Sequence, residues 1–147
     1  MTLAHTSLGS GPTCYLLPAN GHDARDFSAV RPTLATRFET VALDWPAMGS
    51  SPPPADPGAM SAAAFADELE TFVLSRGSEP AVYIGHSIGG YAACRLALRH
   101  PELVRALVRK GEEKLLVDRV VARLVEQGLL DDAAFAQSFT RAKVLGA

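Results

Sequence analysis

A chain of 147 residues, 48% hydrophobic and 20% charged, has the size and composition of one ordinary globular domain, which excludes a large multi-domain enzyme. Its formal charge of −2 gives no basic field over the surface, so no nucleic-acid partner is expected. No run approaches the roughly 18 apolar residues of a membrane span, so no membrane association is expected. Cys14 and Cys94 sit inside apolar runs, and no apolar signal-peptide core opens the chain; both read as buried thiols in a reducing, cytoplasmic setting.

The first elements read as strands alternating with helices. His5 lies in an edge strand. Thr13 to Leu17 is a short apolar run closed by Pro18, Glu39 to Leu43 another closed by Asp44, and Ala81 to Ile84 a third closed by Gly85. Between the first two lies Asp26 to Phe38, where Pro32 fits the first turn of a helix whose Leu34, Ala35 and Phe38 fall at helical spacing. Pro52, Pro53 and Pro54 make Pro46 to Gly58 a loop. A helix then starts at Ser61, with Ala62, Phe65, Ala66, Leu69, Phe72 and Val73 on one face and Asp67, Glu68 and Glu70 toward water. Another helix runs from the end of the third strand to about His100. Such alternation implies right-handed crossovers and a mainly parallel sheet, an α/β fold.

The composition changes near residue 108. Residues 1–108 hold 7 Arg and no Lys against 10 acidic residues, with all 10 prolines and all 4 histidines; residues 109–147 hold 4 Arg and 3 Lys against 6 acidic residues and no proline. Glu112 to Gln127 repeats apolar residues at Leu116, Val120 and Leu124, and ends before Gly128 as a helix should. Asp131 or Asp132 caps a second helix with Phe135, Phe139 and Ala142 on one face, which predicts a C-terminal helical hairpin packed on the α/β part.

The sharpest motif is Gly85-His86-Ser87-Ile88-Gly89-Gly90, set between a strand and a helix. A serine on so tight a turn needs small flanking residues, because a Cβ there would collide as the chain reverses. The turn exposes the Ser87 hydroxyl, and the Ile88 N–H at the helix start can stabilise a developing oxyanion. The alternative is a glycine-rich connection with no chemistry. Leu16-Leu17-Pro18-Ala19-Asn20-Gly21, Phe38 to Asp44 with Trp45-Pro46-Ala47-Met48-Gly49-Ser50-Ser51, and the Ser87 turn together resemble the N-terminal half of an α/β-hydrolase over about residues 10–108.

The resemblance implies the strand order, with Thr13–Leu17 in the middle of three parallel strands, and Ser87 as nucleophile of a serine esterase acting on a small acyl or ester substrate without metal or cofactor. Pro18-Ala19 stands where the family usually carries His-Gly, so Asn20 is the matching second oxyanion donor. Asp44 matches an acidic residue whose expected role is to organise its loop through backbone hydrogen bonds. The family delivers its acid and base after the nucleophile. Here the last histidine is His100, about 20 Å from Ser87 along a helix rising 1.5 Å per residue. His86 is expected to be a packed, hydrogen-bonded core histidine. Gly21 and His22 lie near the oxyanion loop, and His22 is the one histidine able to approach Ser87, with a loop-ordering role as the alternative.

Leu103 to Val108 looks like the start of the family's next strand, yet Arg109-Lys110-Gly111 turns into the hairpin. From there the sequence is similar to one helical repeat of RecX, through Gly128-Leu129-Leu130-Asp131-Asp132 and Phe135-Ala136; a generic capped hairpin is the alternative. The expectation is two parts: an α/β-hydrolase-like half-domain over 1–108 and a RecX-repeat-like hairpin over 109–147. The chain is then a truncated or chimeric protein, ancestrally an esterase, with weak or no activity. The competing reading is a non-catalytic interaction module, for which a RecA-type partner follows from the second resemblance.

Overall fold

The computed structural model describes residues 2–104; the expected hairpin over 109–147 lies outside the described residues. Four strands, β1 (His5–Leu8), β2 (Thr13–Leu17), β3 (Glu39–Leu43) and β4 (Val82–Gly85), form one sheet in the order β1-β3-β2-β4. β2 is parallel to β3, with Cys14 opposite Thr40, and parallel to β4, with Leu16 opposite Ile84. The expected middle position of β2 is therefore found. β1 closes one edge antiparallel to β3, pairing His5 with Leu43, so the sheet is mixed. On the other side, Ala81 bridges Val104 in the parallel sense, where the sequence suggests a further strand beginning.

The strands alternate their side chains between two cores, as a pleated strand must. Tyr15, Leu17, Val41 and Leu43 pack with Trp45 and with the buried face of α2 (Ala62–Arg76) and residues Ala92 and Leu96 of α3 (Ile88–Arg99). Cys14, Leu16, Ala42 and Val82 pack with Phe27 and Phe38 in a second cluster. Helices and turns thus cover both faces of a parallel core, the arrangement its crossovers require. Cys14 and Cys94 are both buried, and burial pushes the Cys94 thiol up to about 12. Among the described residues no helix is long and apolar enough to cross a membrane.

α2 begins at Ala62, one residue after the expected start, with Ser61 as its cap: the Ser61 hydroxyl accepts the Ala64 N–H at 3.2 Å. Phe65, Ala66, Leu69, Phe72 and Val73 are buried as expected, whereas Ala62 is exposed. Glu70 and Asp67 do not simply face water, since both pair with Arg99 of α3.

The helix expected between the first two parallel strands is found with Pro32 in its first turn, as α1 (Arg31–Leu34). It is a single turn, and a 3-10 turn over Ala24–Phe27, capped by Asp23, precedes it. Arg31 then anchors the short helix to the sheet edge, donating to the Thr40 hydroxyl at 3.0 Å and the Thr6 hydroxyl at 2.7 Å.

Candidate active site

The turn from β4 into α3 carries the candidate nucleophile. Ser87 has φ 54° and ψ −116°, a conformation a side chain adopts only under constraint. Two close approaches explain the constraint. A Cβ on Gly85 would stand within 3.0 Å of Gly89 C and Gly90 N, and one on Gly89 within 3.0 Å of the Leu17 carbonyl. The turn is also tied to β2 by the His86 N–H donating to the Leu17 carbonyl at 3.0 Å. Ser87 is exposed, and its side chain makes no capping bond to α3, so the hydroxyl is not consumed by the helix it precedes.

Opposite the turn, the loop after β2 carries Asn20. The loop is held from beneath by the buried indole of Trp45, whose Nε1 donates to the Pro18 carbonyl at 2.7 Å, while the Gly21 N–H donates to Met48 Sδ at 3.3 Å. Among the described residues the N–H groups of Asn20 and Ile88 meet no acceptor. Free N–H groups on the two loops expected to form an oxyanion hole are what that role needs.

Asp44 is buried at the end of β3 and acts as a loop organiser. Its Oδ1 accepts the Ala24 N–H and its Oδ2 the Ser50 N–H, both at 2.8 Å. The Ser51 hydroxyl donates to the Asp44 carbonyl at 2.6 Å and accepts the Ala4 N–H at 2.8 Å, locking the loop after β3 to the chain entering β1.

The four histidines separate into two kinds. His5 sits on β1, edge-on to Phe72 at 5.0 Å, and His100, at the far end of α3, is paired with Glu70 and Glu102. His22 and His86 meet beside the turn, with ring centroids 6.5 Å apart and planes at 83°. The expectation of a packed core His86 is corrected: the residue is exposed, because the reversal at Ser87 carries its neighbour out of the sheet. His22 Nδ1 lies 2.9 Å from Asp26 Oδ1. Asp26 is a partner not expected from the sequence, although a four-residue spacing is a readable signal for such a pair. The anchoring roles of Trp45 and Met48 are likewise visible only in the fold. No cluster of three or more metal-ligating side chains occurs among the described residues.

Comparison with known proteins places this geometry. Over 104 residues the chain is 36% identical to a pimeloyl-[acyl-carrier protein] methyl ester esterase of Klebsiella pneumoniae, covering 69% of this chain and 37% of that protein. Over 113 residues it is 29% identical to a 1-acylglycerol-3-phosphate O-acyltransferase of Arabidopsis thaliana, covering 75% of this chain and 27% of that one. A thermophilic esterase from Thermogutta terrifontis superposes with a TM-score of 0.62 at 27% identity, covering 86% of this chain and 49% of that structure. The chain therefore spans less than half the length of each of these relatives. The family match itself covers residues 12–144, across the composition change at 108, and with it this chain belongs to the alpha/beta hydrolase fold family.

Proposed function

We propose that the chain carries the nucleophile and oxyanion hole of a serine esterase acting on a small acyl ester. The observation that carries the reading is Ser87 held at φ 54° on a turn whose flanking positions leave no room for a Cβ. In this reading Ser87 Oγ attacks the ester carbonyl, and the N–H groups of Ile88 and Asn20 take the negative charge that develops on its oxygen. A single such donor contributes roughly 100- to 1,000-fold in rate. An ester and an O-acyl transfer in the names of the two curated relatives agree with this substrate class. No metal or cofactor is required for the attack.

The RecX-like pattern after residue 108 is not needed to explain the site, and the hydrolase family match through residue 144 supports reading that segment with the rest. Treatment with a fluorophosphonate followed by peptide mass spectrometry tests the proposal. A single adduct on Ser87, absent in Ser87→Ala, is expected; an unlabelled protein at high probe concentration overturns it.

A further inference from the structure

Resting on that reading, we infer that the Met48 thioether is an oxidisable latch on the candidate oxyanion loop, its sulfur the site at which a peroxide loosens that loop. The chain after Pro18 makes a tight turn, closed by the His22 N–H on the Ala19 carbonyl at 3.2 Å. Gly21, the third residue of the turn, has φ 80°, the type II arrangement. The type I form differs by turning over the central peptide, Asn20–Gly21, and glycine adopts either. A Cβ on Gly21 would meet nothing within 4 Å, so packing around Gly21 does not choose between the two forms. The Gly21 N–H does choose, because it donates to Met48 Sδ at 3.3 Å. Turned over, the peptide would present the Asn20 carbonyl to the sulfur, acceptor against acceptor.

The sulfur is held on a loop that cannot follow a moving turn. The Met48 N–H donates to the Trp45 carbonyl at 2.9 Å, and the Met48 carbonyl accepts the Ser51 N–H at 3.0 Å. Trp45 is fully buried, and Gly49 lies so close to the Asp44 carboxylate that a Cβ there would collide with it. The Gly21–Met48 bond itself is exposed, whereas Cys14 and Cys94 are buried. A dissolved oxidant therefore reaches the thioether and not the thiols.

One added oxygen is enough to open the latch. Hydrogen peroxide gives its terminal oxygen to the sulfur: the S–O bond forms as the O–O bond breaks, the sulfur loses two electrons, and the peroxide leaves as water. An N–H···O bond takes about 2.9 Å between heavy atoms, so the new oxygen does not fit between a nitrogen and a sulfur 3.3 Å apart. Added on the other side, it leaves the sulfur partly positive and a poor acceptor. Either way the Gly21 N–H loses its present partner, and Asn20, whose N–H is one of the two proposed oxyanion donors, moves with the turn.

The experiment follows two readouts in the full chain before and after hydrogen peroxide, with peptide mass spectrometry locating the added oxygen. One is the Gly21 amide signal by NMR, the other the rate of fluorophosphonate labelling at Ser87. In the parent, sulfoxide at Met48 is expected to shift the Gly21 amide and to slow labelling at least about 10-fold, short of the roughly 100- to 1,000-fold that a lost donor costs. Methionine sulfoxide reductase should restore both. Met48→Leu keeps the bulk without the acceptor, so it should label slowly from the start and ignore peroxide. Met48→Gln returns an acceptor of similar reach without sulfur, so it should label as the parent does and also ignore peroxide; a space-filling Met48 gives the reverse order of the two variants. Met48 left unoxidised by peroxide, a Gly21 amide unmoved by the sulfoxide, or parent-like labelling of Met48→Leu overturns the latch and leaves the esterase reading standing. A parent that never labels overturns the esterase reading, and the Gly21 amide then decides the latch alone.

Discussion

Replacing Asp44 with asparagine separates an organiser of loops from a member of the reacting machinery. The carboxylate accepts one backbone N–H on each oxygen, from Ala24 and from Ser50, each at 2.8 Å, in a residue only 8% exposed. Asparagine keeps one acceptor and turns an NH2 toward the other N–H. One charge-assisted bond is lost and a half-buried donor is left facing another donor, at a combined cost of about 2–3 kcal/mol. For a body of this size that corresponds to a fall in Tm of roughly 8–24 °C. The chain has a single tryptophan, and it is Trp45, fully buried and next in sequence to Asp44. Its emission therefore follows urea unfolding at the loop itself. With a slope of roughly 1–3 kcal/mol per molar urea, the midpoint should drop by about 1–2 M with the slope unchanged. An unshifted midpoint together with lost Ser87 labelling would refute the organiser role and make Asp44 the acid of the reaction instead.

Two further outcomes follow from the same geometry. Ser87→Gly removes the side chain from a positive-φ position, and after the extra freedom glycine gives the unfolded chain is subtracted, the protein should gain about 1 kcal/mol, read as a higher urea midpoint with no phosphonate adduct; a loss of stability would mean that the turn is not strained. His100 is held above its ordinary range by the hydrogen bonds it donates first to Glu70 and then to Glu102. A raised folded value gives stability that is complete below the unfolded value of 6.5 and disappears as pH rises through the folded value. His100→Gln should therefore lower Tm more at pH 5.5 than at pH 8.5, and an equal loss at both would show that the ion pairs with Glu70 and Glu102 contribute nothing.

What could be read from the sequence divides along a physical line. The three parallel strands were legible because each is a short apolar run with a stop signal, and α2 because Phe65, Ala66, Leu69, Phe72 and Val73 recur on one helical face. The Ser87 elbow was legible because its requirement is for small residues at fixed positions, a demand made by backbone against backbone. Between Asp26 and Phe38 the apolar spacing correctly marked Phe38, with Leu34 packed against it. Pro32 correctly marked the first turn of the helix, but the spacing did not show that the helix is a single turn or that a 3-10 turn over Ala24–Phe27 precedes it. The exposure of His86 and the pairing of His22 with Asp26 were not read either, for they depend on the path of the loop after Pro18. That path is set by a distant contact, the Trp45 indole on the Pro18 carbonyl.

That anchoring divides the rim of the site into a fixed rail and a replaceable fringe. The Leu17 carbonyl is pinned by the His86 N–H and backed by Gly89, and the Pro18 carbonyl is pinned by Trp45. Immediately beyond them Asn20, Gly21 and His22 are exposed and fill no part of either core. Sequence change on one side of Pro18 therefore acts on folding, while change on the other acts on what the rim meets. Libraries confined to positions 20 and 22, with Gly21 kept for its φ of 80°, could alter recognition on a scaffold whose stability they leave alone.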